Sequence, residues 1–187
     1  MITPPVIGVL ALQGDFEAHA RALRELGAEP REVRVPPDLE GIAGLVIPGG
    51  ESTTMTLGIE REGLAEPLRE LVGSGRPVLG TCAGLIMLDR EHLGLLDVSA
   101  RRNAFGRQLA SFEADLEVAG LEGGPLHAVF IRAPWVDDAG AGVEVLAEVE
   151  GHPVAVRQGN MLAVAFHPEL TTDLRLHSWL LNGNGHG

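Results

Sequence analysis

The stretch RPVLGTCAGLIML, residues 76–88, constrains the chain more than any other. It reads as a short buried strand, a very tight turn and the opening turns of a helix. The turn carries the chain's single cysteine, Cys82, between Gly80 and Gly84. In an elbow of the form G-x-nucleophile-x-G, the glycines let strand and helix approach without Cβ clashes. The middle residue then adopts a strained conformation that lifts its side chain above the sheet. Free N–H groups and the positive dipole end of the helix favour the thiolate, the species that attacks carbonyl carbon. An isolated free cysteine is usually a small buried hydrophobe; here the glycine frame argues for the reactive reading.

An elbow needs a sheet around it. Residues 6–12 form a continuous apolar run of strand length, the pattern of a parallel strand covered on both faces. Gln13-Gly14-Asp15 ends it, and Phe16, Ala20, Leu23 and Leu26 recur at helical spacing up to Gly27. Residues 32–35 and 44–47 predict a second and a third strand, the third running into Pro48-Gly49-Gly50-Glu51-Ser52. Helical pattern resumes after Ser52 and again over 64–72. Such alternation predicts an α/β fold with a parallel sheet and right-handed crossovers. After Leu88 the texture changes: 111–118, 128–131 and 143–149 read as strands without long helices between them. Residues 154–157 and 161–166 flank Gln158-Gly159-Asn160 as an antiparallel hairpin, so the sheet is expected to be mixed. A last helix is expected over about 173–181, and the glycine-rich tail 182–187 is expected to fray.

Composition narrows the function. The length, 187 residues with 45% apolar content, fits one domain over 1–187. A net charge of −12 argues against nucleic acid or an anionic membrane as partner, because either needs clustered cations. One cysteine forms no internal disulfide, the apolar runs are too short to span a bilayer, and residues 1–5 carry no secretory pattern. A cytoplasmic location is expected.

A cysteine nucleophile needs a base, and the base needs a group that holds its ring. His167-Pro168-Glu169 follows an apolar strand, which places the pair at the carboxyl end of the sheet, where open α/β folds put their ligands. Alone, such a turn is ordinary surface; beside the elbow it completes a Cys82, His167, Glu169 set. The other histidines have no such context. Pro48-Gly49-Gly50-Glu51-Ser52 is a further strand-end loop, whose backbone N–H groups could meet a developing oxyanion together with that of Ala83. It lacks the Gly-Lys-Ser/Thr ending of a phosphate loop.

Gly80-Thr81-Cys82-Ala83-Gly84, Pro48-Gly49-Gly50-Glu51-Ser52-Thr53 and His167-Pro168-Glu169 resemble the three signatures of the class I (triad) glutamine amidotransferases. Within that superfamily the chain looks most like the glutaminase subunits of pyridoxal-phosphate synthases. That resemblance rests on GVLALQG from Gly8, GGESTTM from Gly49, HLGLLD from His92, RNAFGRQ from Arg102, SFEADL from Ser111 and FIRAP from Phe130. It runs nearly end to end, with one departure, a short connection between the elbow helix and His92. It implies a single-domain, three-layer α/β sandwich of flavodoxin-like type, with a mixed, mostly parallel sheet and an antiparallel extension. Cys82 is then the nucleophile, His167 the acid/base and Glu169 the orienting carboxylate. Glutamine is expected to meet Gly50, Glu51, Ser52, Arg107, Ile131 and Arg132, with Gly50 and Ala83 as oxyanion donors. An arginine fork suits the substrate's α-carboxylate or the organisation of the loops. Gln13 and Gly14 are implied at the oxyanion apparatus or at a partner interface. The resemblance further implies hydrolysis of L-glutamine, ammonia passing to a separate pyridoxal-phosphate synthase subunit, no cofactor of the glutaminase's own and no metal. Two alternatives stay open: a glutaminase serving another synthase, such as one making imidazole-glycerol phosphate, and a non-catalytic thiol-sensing domain of similar fold.

Overall fold

Strands β1 (Val6–Leu10), β3 (Gly44–Ile47), β4 (Val78–Thr81) and β11 (Met161–Val164) are almost entirely buried in the computed structural model, which describes residues 2–182. Their Val, Leu and Ile runs suit strands covered on both faces. With β2 (Glu29–Val33), β9 (Glu144–Val149) and β10 (His152–Gln158) they form one seven-stranded sheet in the order β2-β1-β3-β4-β11-β10-β9. Pairing is parallel from β2 to β11 and antiparallel through β10 and β9, the mixed sheet expected of this chain. The β10–β11 hairpin pairs Gln158 with Met161, leaving Gly159 and Asn160 as the turn; Gly159 has φ 57°, as a tight hairpin of this kind requires.

Helices α1 (Phe16–Glu25), α2 (Ser52–Arg61), α3 (Ala65–Gly73), α4 (Ala83–Leu88) and α5 (Arg175–Leu181) cover the sheet. Successive residues of β4 point to opposite faces. Gly80 lies against Gly84 and Leu88 of α4, whereas Thr81 meets His19 of α1, whose other ring nitrogen reaches His177 of α5. The elbow helix and the α1–α5 pair therefore lie on opposite faces, which gives the three layers.

Strand β2 starts at Glu29, three residues before the expected 32. Pairing with β1 begins as soon as the Gly27 turn closes, where the Glu29 N–H donates to the Pro5 carbonyl at 2.9 Å. Pro30 obscured it in the sequence, yet an edge strand tolerates a missing N–H. Two strands were not anticipated, β5 (Val98–Arg101) and β8 (Trp135–Ala139), which pair antiparallel beside the ribbon of β6 (Ser111–Leu116) and β7 (Leu126–Ile131). The short connection after α4 is closed by buried Asp89, which accepts from the Glu91 and His92 N–H groups at 2.9 and 3.1 Å. The last helix begins at Arg175 rather than 173, because the Asp173 carboxylate accepts the Arg175 N–H at 3.1 Å and organises the turn before it. Asn182 closes that helix, its N–H 3.2 Å from the Ser178 carbonyl; the rest of the tail lies outside the described residues.

Five aromatic rings brace the end of the sheet that carries the candidate site. Phe112 stacks on Phe130 with ring centres 4.5 Å apart, and Phe130 meets Phe166 edge to face at 5.5 Å. Phe105 contacts Phe112, Phe130 and Trp135. Phe130 and Phe166 are fully buried and directly precede Ile131 and His167 in the chain, so this cluster fixes where both emerge. No described helix is long and apolar enough to cross a membrane.

Candidate active site

Cys82 has φ 50° and ψ −109°, a conformation that costs a residue with a side chain on the order of 1–3 kcal/mol and persists only where surrounding structure imposes it. The imposing contacts are visible. Its N–H donates to the Val164 carbonyl at 2.8 Å, and its carbonyl accepts the Leu85 N–H at 3.0 Å. A Cβ on Gly84 would lie 2.0 Å from the Ile47 oxygen, and one on Gly80 would lie 2.9 Å from the Gly84 oxygen. Both glycines are thus steric necessities of the approach between α4 and the sheet. The thiol comes within 3.9 Å of the Ile131 carbonyl, and Ala83, as first residue of α4, has an N–H without an intrahelical partner.

His167 leaves the end of β11 with its N–H held by the Val129 carbonyl at 2.9 Å. Its Nδ1 lies 2.5 Å from Glu169 Oε1, and the Glu169 side chain is wholly buried. Burial alone would lower the His167 pKa. The Cys82 and Glu169 side chains beside the ring, the latter hydrogen-bonded to it, outweigh it and push the value up to about 10. His167 is therefore favoured as an imidazolium, with Cys82 on one side of the ring and Glu169 behind it.

The loop after β3 packs directly on this pair. A Cβ on Gly49 would lie 2.7 Å from His167 Cε1 and 3.3 Å from Cys82 Cβ, so only glycine fits. Gly14 in turn lies under the Gly49 carbonyl, and Gln13 Oε1 accepts the Glu51 N–H at 2.5 Å. These two residues thus support the loop from the end of β1. The Glu51 carboxylate caps α2, accepting from the Thr53 and Thr54 N–H groups at 3.1 and 2.8 Å. Those bonds, the Thr54 hydroxyl and Arg102, 3.0 Å away, hold its pKa down to about 2.

A cavity of about 300 Å³ opens over Cys82. Of the residues expected around glutamine, it is lined by Gly50, Glu51, Ser52, Ile131 and Arg132, with Gln13, Ala83 and His167. Arg107 is not among them; it lines an adjoining cavity that shares Asn103 and Arg132 with the first. Arg102 and Asn103 occupy the place expected of Arg107. The signal was the RNAFGRQ segment itself, in which the sequence does not show which arginine turns inward. Positive φ at Asn103 (45°) and Gly106 (77°) sets that choice. Sequence reasoning also passed over His19 and His177, which lie behind Glu169. Among the described residues no group of three or more His, Cys, Asp or Glu is placed to hold a metal.

The arrangement can carry out acyl transfer. A nucleophile, an acid/base and its orienting carboxylate face a small cavity that has cationic and backbone donors on its wall. Comparisons with known proteins agree. The chain is 57% identical over 182 residues to a protein of Frankia alni named pyridoxal 5'-phosphate synthase subunit PdxT, covering 92% of each. It is 53% identical to the protein of that name from Salinispora tropica, over 95% of this chain and 96% of that one. A crystal structure described as a glutamine amidotransferase superposes with a TM-score of 0.88 at 50% identity, covering 94% of this chain and 97% of that one. PurLQS from Thermotoga maritima, at 20% identity and a TM-score of 0.76 over 97% of this chain and 99% of that one, shares the fold. A profile of the SNO glutamine amidotransferase family matches residues 9–184, and the chain belongs to that family.

Proposed function

We propose that the chain is the glutaminase subunit of a pyridoxal 5'-phosphate synthase, hydrolysing L-glutamine to L-glutamate and ammonia for a partner synthase subunit. The observation that carries the chemistry is the buried His167–Glu169 pair standing beside a strained Cys82 at the floor of the cavity. The Cys82 thiolate attacks the side-chain amide carbon, forming a C–S bond and an oxyanion whose donors are the Ala83 N–H and, once the Gly49–Gly50 peptide is turned toward the site, the Gly50 N–H. Collapse breaks the C–N bond as His167 gives its proton to the departing ammonia. His167 then takes a proton from water, which attacks the thioester; the C–S bond breaks and glutamate leaves. Glu169 holds the ring throughout. Arg132 and the Arg102–Glu51 pair are the polar groups available to the substrate's α-ammonium and α-carboxylate.

The identity of the partner is supported by the names of relatives more than half identical over almost their full length. One domain over 1–187 does this work, and a cytoplasmic location suits a lone thiol that must stay reduced. The test is glutamate release with and without the synthase, together with labelling by a glutamine-analogue electrophile. Labelling confined to Cys82 and loss of both signals in Cys82→Ser are expected; full activity in that variant would refute the reading.

A further inference from the structure

Behind Glu169 lies a second, wholly internal set of polar groups that the hydrolysis above does not use. Glu169 Oε1 accepts from His167, while Oε2 is buried without a hydrogen-bond partner. His19 Nε2 faces that oxygen at 3.4 Å, with both side chains fully buried. The same nitrogen lies 3.2 Å from the hydroxyl of Thr81, the residue before the nucleophile. The other ring nitrogen of His19 is 2.8 Å from His177 Nε2, and His177 Nδ1 is buried with no partner. Three elements far apart in sequence, α1, the end of β4 and α5, thus bring a histidine pair to the back of the orienting carboxylate.

Protonation of this pair has two neutral solutions. In the first, His19 carries its proton on Nδ1 and donates to His177 Nε2. His177 must then carry a proton on Nδ1, an N–H buried without an acceptor, and the bare lone pair of His19 Nε2 faces the lone pairs of Glu169 Oε2. In the second, His177 donates from Nε2 to His19 Nδ1, and His19 carries its proton on Nε2, between Thr81 and Glu169. The His177 Nδ1 lone pair is then unused, and Oε2 faces the positive end of an N–H that is bonded to Thr81 in place of a lone pair. Orphaned buried N–H groups are rarer than under-used acceptors, and an unpaired buried carboxylate oxygen is costlier than either, so the second solution prevails.

We propose that His19, held in its Nε2–H form by His177, is a positioning residue of this site that fixes the Glu169 carboxylate and, through it, the ring of His167. The proposal rests on the glutaminase reading. His167 then donates to Oε1, the His19 N–H donates to Thr81 with its positive end 3.4 Å from Oε2, and both oppose rotation of the carboxylate away from His167. The titratable groups that act on His19 are His177 on α5 and His167 and Glu169 after β11. Burial first, then His177 and His167, hold its pKa well below the ordinary histidine value, which keeps it the neutral donor this role needs. Burial likewise brings His177 down to about 4.

The first measurement is the tautomer of His19, read by nitrogen-15 NMR of the wild-type chain. A proton on Nε2 is expected; a proton on Nδ1 overturns the proposal. The second is kinetics with the synthase present. His19→Leu removes the donor, while His19→Gln keeps an N–H near the Nε2 position. Leu should lower kcat about 30-fold with KM within about threefold, and move the alkaline limb of kcat down by about one pH unit as His167 loses its oriented partner. Gln should recover most of both. Equal kcat and equal pH profiles for the two variants, per folded molecule, would show that the pair only fills space. If His19→Leu does not fold, His177→Leu takes its place, with a smaller kcat loss and a mixed His19 tautomer expected; unchanged values would overturn the proposal. Wild type that releases no glutamate with the synthase would instead refute the glutaminase reading itself.

Discussion

The Gly84 Cα packs so closely on Ile47 that an added Cβ would lie 2.0 Å from the Ile47 carbonyl oxygen. Because Ile47 ends β3 and Gly84 belongs to the first turn of α4, this contact sets the height of the elbow over the sheet. It also ties the Cys82 backbone to the loop that carries Gly49 and Gly50. Backbone cannot move aside as a side-chain tip can, so the cost of added volume here belongs at the upper end for overpacked cores.

Gly84→Ala is accordingly expected to destabilise the chain by about 3 kcal/mol, a fall in Tm of roughly 6–12 °C. Thermal melts with parallel glutaminase assays check this. Activity should fall further than the folded fraction does, since the residual fold displaces Cys82. An alanine variant with unchanged Tm and activity would contradict the elbow geometry.

His167→Asn is expected to lower kcat by about 10³-fold or more, and Glu169→Gln by less, because the amide keeps an oxygen but loses the charge behind the ring. The double variant should lie close to His167→Asn alone, since the residues act as a unit. Steady-state kinetics of the three variants decide it, and strictly multiplicative losses would contradict the chain of contacts from Cys82 to Glu169.

That Cys82, His167 and Glu169 come together could be read in the sequence, for a physical reason. The glycine spacing around Cys82 encodes a steric demand that few other structures make. A histidine and carboxylate two residues apart after a buried strand also have few ways to sit. The Gly159 hairpin was visible on the same ground. What stayed hidden depended on contacts between distant segments. His19 and His177 are 158 residues apart in the chain, and each alone looks like a helix histidine. Arg102 and Arg107 share one motif, and only the loop's backbone decides which reaches the cavity. Strands β5 and β8, with the sequences VSAR and WVDDA, are too short and polar to show a period.

The ionic character of the site predicts a pH effect with a definite sign. The folded pKa of His167, about 10, lies above the ordinary value of about 6.5. Its contribution to stability is therefore fully present below pH 6.5 and is lost as pH rises through 10. The Tm advantage of wild type over His167→Asn should shrink between pH 6.5 and 10.5. A constant gap across that window would contradict the paired imidazolium.

Arg102 is expected to act on substrate binding. The Arg102–Glu51 contact is exposed, so its loss should cost little stability. Arg102→Ala and Glu51→Gln should each raise KM for glutamine about tenfold, near 1.4 kcal/mol of binding, with kcat changed far less. The double variant should show less than the product, because the pair acts together. KM unchanged in both would remove this pair from the glutamine site.

Hydrolysis through an intermediate on Cys82, with an oxyanion loop that responds to the partner, can be followed directly. Gly50, at φ 151°, leaves the Gly49–Gly50 peptide free to reorient cheaply, and Gln13 and Gly14 support that loop from the surface. The direct measurement is acid quenching during turnover of L-glutamine as the synthase is titrated in, with peptide mass spectrometry of Cys82 and counts of glutamate and ammonia. A γ-glutamyl thioester on Cys82, equal release of the two products, and low activity alone that rises as the synthase binds are expected. No adduct and no glutamate release at saturating synthase would contradict this mechanism.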